Sequence, residues 1–223
     1  MNRKVKRLSA ALLCIMLVFT SMTGFTMTEL DNEKVFSDEI IQREKISSWA
    51  EETVDAAYMA GIVPPMSDNP GYKDNITREQ FAELAVAMVT KVCGEVELTG
   101  EKTFTDCTNE KVLLAAQLGI VNGVSADKFS PKTTTNREQI ATMVNRAIDY
   151  INENEGIDLT PNPADISKFT DANKVSNWAK DGVGTLAANG IMNGTSATTL
   201  SPKAPCTVEQ SIMLLYRVYE SAE

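Results

Sequence analysis

The chain contains no histidine among its 223 residues. That excludes His-based acid–base chemistry and Ser–His–Asp triads, and it argues against a structural zinc site. Cysteine is nearly absent. Cys14 falls in the N-terminal apolar stretch, and Cys93, Cys107 and Cys206 remain. An odd number implies no disulfide framework. Cys93 and Cys107 are spaced to pair across a linker, but the simpler reading is three small buried hydrophobes. No Gly-x-Ser-x-Gly, phosphate-binding loop or metal-ligand spacing occurs. Carboxylates are plentiful, yet they fall mainly in linkers and on solvent faces, so an enzyme built on a carboxylate pair has little support. Nothing implies a cofactor. Long apolar runs are also missing. The run from Leu8 to Phe19 follows Arg3, Lys4, Lys6 and Arg7 and is shorter than the ~20 residues that span a bilayer. It reads as a secretory signal over residues 1–27, without an Ala-x-Ala cleavage site and without the small residue expected before a lipid-modified Cys. Positive charge is scarce elsewhere: removing those four N-terminal cations takes the formal net charge from −9 to −13. A chain this acidic is no nucleic-acid binder by bulk electrostatics, and without its signal it has no segment for stable membrane insertion.

What is present is repetition. Thr77-Arg78-Glu79-Gln80 returns as Asn136-Arg137-Glu138-Gln139 and Thr207-Val208-Glu209-Gln210, 59 and 71 residues apart. A recurring unit has to be settled before any other fold reasoning. In each copy a Thr or Asn followed three residues later by Gln is a capping box, and the Glu between them complements the helix dipole. Arg at the first helical position opposes that dipole, and positions that break a local rule are candidates for function. Arg78 and Arg137 therefore read either as an anion-binding corner beside free helix N–H groups or as surface cations paired with nearby carboxylates.

The rest of each unit follows the same order. Phe36-Ser37-Asp38, Phe104-Thr105-Asp106 and Phe169-Thr170-Asp171 place an anchored turn before a helix. Ser48-Trp49-Ala50-Glu51 reads as a further capping box, leading into an apolar stripe of Trp49, Ala56, Ala57 and Ala60. Gly61-Ile62, Gly119-Ile120 and Gly190-Ile191 mark helix stops. A turn-rich loop then leads to the capped second helix, with predicted buried faces Phe81/Leu84/Ala85/Met88/Val92, Ile140/Met143/Val144/Ala147/Ile151 and Leu214/Leu215/Val218. Residues 94–102 and 152–167 read as linkers. The units are 35–94, 103–151 and 168–223. Each holds too little core to be comfortable alone, so the three are expected to share one.

Phe-x-Asp, Trp-Ala, Gly-Ile-Val-Asn-Gly, Phe-x-Pro and Thr-Arg-Glu-Gln, in that order and repeated, resemble S-layer homology (SLH) domains from about Val35 to the C-terminus. The resemblance implies a mainly α fold, three tandem helix-loop-helix SLH repeats in one pseudo-threefold body with short strand-like loop segments. It also implies a non-catalytic cell-surface role: binding a secondary cell-wall polysaccharide, often capped by a pyruvylated amino sugar, of a Gram-positive-type wall. Carried over by position, Arg78 and Arg137 meet the ketal carboxylate, Thr77 and Asn136 flank them, and Trp49 and Trp178 wall the grooves. By itself, a Trp at the first turn of an amphipathic helix reads as core. Three departures stand out: Val208 replaces Arg, Cys107 falls where Trp belongs, and the first unit has Pro64-Pro65 and Tyr72 in place of the Asn-Gly and Phe-x-Pro loop. With no cargo domain in the sequence, they motivate an alternative: a degenerate-repeat structural protein that contacts another surface protein without binding glycan.

Overall fold

The structure, a computed structural model, describes residues 46–101 and 103–223. The signal reading, Asp38 and the start of the first unit lie outside the described residues. Among these the protein is mainly helical and has no sheet. The first segment holds α1 (Glu51–Ala60) and α2 (Arg78–Cys93), the second α3 (Glu110–Gln117) and α4 (Arg137–Glu155), and the third α5 (Lys180–Ala188) and α6 (Val208–Ala222). Two 3₁₀ turns, Ala172–Lys174 and Asn177–Ala179, lead into α5.

The local signals do what their chemistry dictates. Thr77, Asn136 and Thr207 each form a complete capping box with Gln80, Gln139 and Gln210. Gly61, Gly119 and Gly190 adopt φ of 76°, 74° and 73°, which glycine reaches without a Cβ penalty. The next amide then folds back: Ile62, Ile120 and Ile191 donate to the carbonyls of Ala57, Ala115 and Leu186, closing each helix end. Two local readings fail. The box at Ser48 does not form: Ala50 caps α1 without a side-chain bond, and neighbouring Ser47 is used elsewhere. And α4 runs on to Glu155, with Gly156 as its left-handed cap, so the first turn of the second linker is helix.

The segments do not fold on themselves. The two helices of one segment make no close approach, whereas α2 packs on α3, α4 on α5, and α6 on α1, and the three capped helices meet each other. Every packing of one α-helix on another is therefore made between segments, the physical reason none would be stable alone. α2 is buried almost all round. Beyond the expected Phe81, Leu84, Ala85 and Met88 it buries Ala82, Val86 and Val89, while Val92 is only half-buried. At the centre three extended residues close a ring of backbone hydrogen bonds. The Ile76 N–H donates to Cys206 O (3.0 Å), Cys206 N–H to Thr135 O (3.2 Å), and Thr135 N–H to Ile76 O (3.0 Å). These are the residues just before the three caps, so the ring brings the three helix N-termini together.

The linkers are strapped down rather than loose. Thr99 N–H donates to the Gln117 side chain at 2.8 Å, and that side chain donates to Glu97 O. Asn162 N–H donates to Asn189 Oδ1, and Asn189 Nδ2 returns a bond to Asn162 O. Gly184 lets the second linker lie close, since a Cβ there would sit 2.9 Å from Ala164 Cβ. Cys93, Cys107 and Cys206 are all free thiols, the last two buried and Cys93 half-buried.

Candidate functional site

The tetrad positions a set of side chains that serve the neighbouring segment. The first two amides of each capped helix donate not to a ligand site but to carbonyls of the next segment's loop. Arg78 and Glu79 N–H reach Thr133 O (2.9 Å) and Pro131 O (3.1 Å). Arg137 and Glu138 N–H reach Ala204 O and Pro202 O (both 3.0 Å), and Val208 and Glu209 N–H reach Asp74 O (3.0 Å) and Tyr72 O (2.9 Å). The third amide is held by the cap itself. The expected anion corner of free helix N–H groups is thus corrected: these donors are spent on closing the ring of segments. Thr77 and Asn136 are half-buried caps with their acceptor oxygens in use.

The tetrad's Glu is a second fastener. Glu209 accepts Ser47 N–H (3.0 Å) and hydroxyl (2.8 Å). Glu138 accepts the same pair from Ser176, both at 3.0 Å, and also Lys203 Nζ. Glu79 takes Asn109 Nδ2 and Lys132 Nζ, each at 3.0 Å. Burial alone would raise the Glu138 carboxyl, but Lys203 and the two Ser176 donors outweigh it and hold it below its ordinary value. The Asp of the second and third Phe-x-Asp ties the far end of its own loop. Asp106 accepts Phe129 and Ser130 N–H (2.8 and 2.9 Å), and Asp171 accepts Leu200 and Ser201 N–H (both 2.8 Å). Those amide bonds hold Asp106 low. At Asp171 they outweigh the upward push of burial, with the same net result.

Arg78 and Arg137 each grip the loop of the following segment. Arg137 is 7% exposed. Its Nε donates to Leu200 O at 2.9 Å and its Nη2 to Asn193 O at 2.7 Å. Arg78 repeats the geometry on Phe129 O (2.9 Å) and Asn122 O (2.6 Å), with its guanidinium 4.5 Å above the Phe129 ring. Burial pushes both guanidinium pKa values down, most strongly opposed at Arg78 by Asp106; an arginine stays charged regardless. Neither forms an ion pair among the described residues, whose ion pairs belong to Lys132 and Lys203, so the surface-pair reading of Arg78 and Arg137 is also corrected.

Arg137 opens onto a cleft of about 320 Å³ assembled from all three segments. Trp49 comes from the first segment, Arg137 from the second, and the Asn193-Gly194-Thr195 loop with Gln210 and Arg217 of α6 from the third. Trp49 is 57% exposed and Trp178 58%, so the core reading of both is overturned: neither fills a helix-packing layer. Gly194 is required for the loop's shape, because a Cβ there would meet Ser196 O at 2.5 Å and Thr199 O at 2.6 Å. Among the described residues no carboxylate lines the cleft. Arg217 is a residue that the motif reading missed. It donates Nη1 to Ile191 O at 2.8 Å, two residues from the carbonyl held by Arg137. The signal for it was its offset. Arg217 stands nine residues after Val208, as Arg146 stands nine after Arg137, with Ala87 at that offset in the first copy.

The two matching positions differ from each other. At the second segment's loop Arg78 holds Asn122 O; with the Asn122 carboxamide rotated so that its nitrogen faces Val121 O, its oxygen lies 3.2 Å from Arg146 Nη1. At the first segment's loop there is neither arginine. Val208 is fully buried, Ala87 stands in place of the second cation, and Glu83 occupies the wall. Ser67 N–H and hydroxyl donate to the Glu83 carboxylate (2.8 and 2.6 Å), Asn109 Nδ2 adds 2.7 Å, and Gln80 Nε2 donates to Ser67 O at 2.8 Å. The loop therefore folds onto α2 and fills that position. Cys107 is buried in the Phe-Thr-Asp turn rather than placed as a groove wall.

No helix among the described residues is long and apolar enough to cross a membrane, and none of their His, Cys, Asp and Glu side chains cluster as a metal site. The chain is similar to larger proteins. It is 29% identical over 187 residues to the Surface-layer 125 kDa protein of Lysinibacillus sphaericus, covering 80% of this chain and 15% of that protein. It is 26% identical over 223 residues to an Endoglucanase of Bacillus sp. (strain KSM-635), covering 95% of this chain and 22% of the relative. An Amylopullulanase of Thermoanaerobacterium thermosulfurigenes is 32% identical over 107 residues, 45% of this chain and 6% of that protein. The chain thus spans under a quarter of the length of these relatives. Two stretches, residues 108–141 and 168–209, each running from the first helix of a segment through the loop into the capped second helix, match the S-layer homology domain family.

Proposed function

We propose that this chain is a non-catalytic cell-surface module, built of three SLH repeats behind a signal peptide. It binds an anionic secondary cell-wall polysaccharide, one whose amino sugar carries a pyruvate ketal, and so is retained at the cell wall. The observation that carries this reading is the cleft around Arg137: cationic, with no carboxylate among the described residues that line it, in a chain of net charge −9, and with an exposed Trp at its edge. A guanidinium matches a carboxylate in charge and hydrogen-bond geometry, and an indole offers a broad apolar face to a sugar ring. In this reading Arg137 and Arg78 meet the acidic group, Trp49 and Trp178 the ring, and the caps Asn136 and Thr77 set the helix ends from which the arginines project. The relatives support it in a second way. A surface-layer protein and proteins named as glycan-degrading enzymes share this small portion, as expected of an attachment segment whose task is independent of the rest.

The test is co-sedimentation of the chain with purified wall sacculi, before and after extraction of the secondary polymer, beside a Trp49→Ala, Trp178→Ala double variant. Both side chains are more than half exposed, so the variant keeps its fold. Polymer-dependent sedimentation that weakens in the variant is expected. Equal sedimentation with stripped walls, or recovery of a surface protein in place of the polymer, would sink the assignment and favour the structural alternative.

A further inference from the structure

The four arginines among the described residues, Arg78, Arg137, Arg146 and Arg217, gather as two pairs at two loops, and none forms an ion pair with another described residue. The two members of a pair use different edges of the guanidinium. Arg137 spends Nε and Nη2 on Leu200 O and Asn193 O, and Arg78 spends the same two atoms on Phe129 O and Asn122 O. The side fork that grips a carboxylate best is therefore occupied in both, and each is held as part of the loop. Arg217 makes its loop bond through Nη1, to Ile191 O, and Arg146 points Nη1 at the Asn122 carboxamide, 3.2 Å from its oxygen once that amide is rotated to face Val121 O with its nitrogen. In these two the Nε and Nη2 donors have no protein partner among the described residues. Both side chains are half-buried, so they are held in place yet reachable. The nearest acids on the same helices, Glu220 and Asp149, lie three residues on, and neither is paired with its arginine.

Resting on the function proposed above, we propose that Arg217 and Arg146 supply the bidentate contact to the acidic substituent of the ligand. Arg137 and Arg78 instead shape the loop and add a single-edge contact, so each cleft takes an acidic sugar between two guanidiniums. The sealed third position, with Ala87 and Val208 at the matching places, lacks both halves of such a site. The consequence is specificity for charge: a polymer with its acidic groups removed should lose most of its affinity, and it should lose it through Arg217 and Arg146.

The experiment is calorimetric titration of the purified secondary polymer, intact and after mild acid removal of its acidic substituents, into the whole chain and into an Arg217→Gln, Arg146→Gln variant. Each is run at several salt concentrations, with melting temperatures measured alongside. The unaltered chain should prefer intact polymer by at least about tenfold. The glutamine variant should bind it about ten- to a hundredfold more weakly and with a shallower salt dependence, at a melting temperature within a few degrees of the parent. An Arg217→Lys, Arg146→Lys variant, which keeps the charge but not the fork, should fall between. A glutamine variant that binds intact polymer as tightly and with the same salt dependence overturns the inference and leaves the proposed function standing. A parent chain that binds neither polymer removes the proposed function and the inference together.

Discussion

The cleft at the third segment's loop and the filled position at the first segment's loop occupy matching places around the central ring, yet one is open and cationic and the other closed. The joints between segments are not what separates them, because the same amide-to-carbonyl bonds are made at both. The loops and the side chains that hold them decide it. Where Arg137 draws the Asn193 and Leu200 carbonyls toward itself and Gly194 permits the tight turn, the loop stands away from α6 and Gln210 lines an empty space. Where Val208 stands, no donor holds the loop out. Ser67 drops onto Glu83 and Gln80, and their hydrogen bonds fill the space that a ligand would take. One body thus carries the same interface as a candidate binding site and as a fastener.

The largest change is expected from Arg137→Ala. It removes two hydrogen bonds from a buried charged group and leaves the Leu200 and Asn193 carbonyls short of a donor, a loss of about 3–5 kcal/mol in unfolding free energy. A denaturant titration checks this. It also means that wall-binding loss in this variant is a folding effect unless the melting temperature is shown to hold. Val208→Arg tests the comparison from the other side. It inserts a cation into a fully buried site whose loop is already filled, so it should destabilise by about 2 kcal/mol or more without adding wall binding. A gain in binding would show that Val208 alone had closed the position.

Acid should loosen the joints between segments. Glu138, Asp106 and Asp171 all sit below their ordinary values in the folded chain. Their contribution is therefore complete above the unfolded carboxylate range near pH 4 and is lost as pH falls through the depressed folded values. A melting temperature flat from pH 7 to about 5 and dropping below about 4 is expected, with Glu138→Gln flattening part of the drop. Trp49→Ala should change stability least, by under about 0.5 kcal/mol, because its ring is mostly in water. Its effect should appear in wall sedimentation alone.

The capping boxes, the glycine stops, and the faces of α4 and α6 were legible because each rests on residues within four positions of one another. The Arg of the tetrad was legible as an anomaly but not in its job, since its partners are 44 to 63 residues away. The same distance hid the fate of the helix N–H groups. Trp49 reads as core from its place beside a helix start, and is exposed because α1 packs on α6 through Val54 and Ala57 instead. Arg146 and Arg217 could have been found by their shared offset from the tetrad, but a helical arginine signals nothing until the loop it faces is known.

The sequence alone determined that one tetrad recurs three times, where the three capped helices begin, that the fold is mainly α, and that an acidic chain carries a few recurrent cations. Capping, turn geometry and charge are local or compositional quantities, so one chain suffices to state them. Only the tertiary structure decided that each segment completes its neighbour, that a cleft opens at Arg137 while the matching position at Val208 is filled, and which edge of each arginine is left for a ligand. Those outcomes depend on which carbonyl meets which donor across some sixty residues of chain, and short-range pattern carries no information on that pairing.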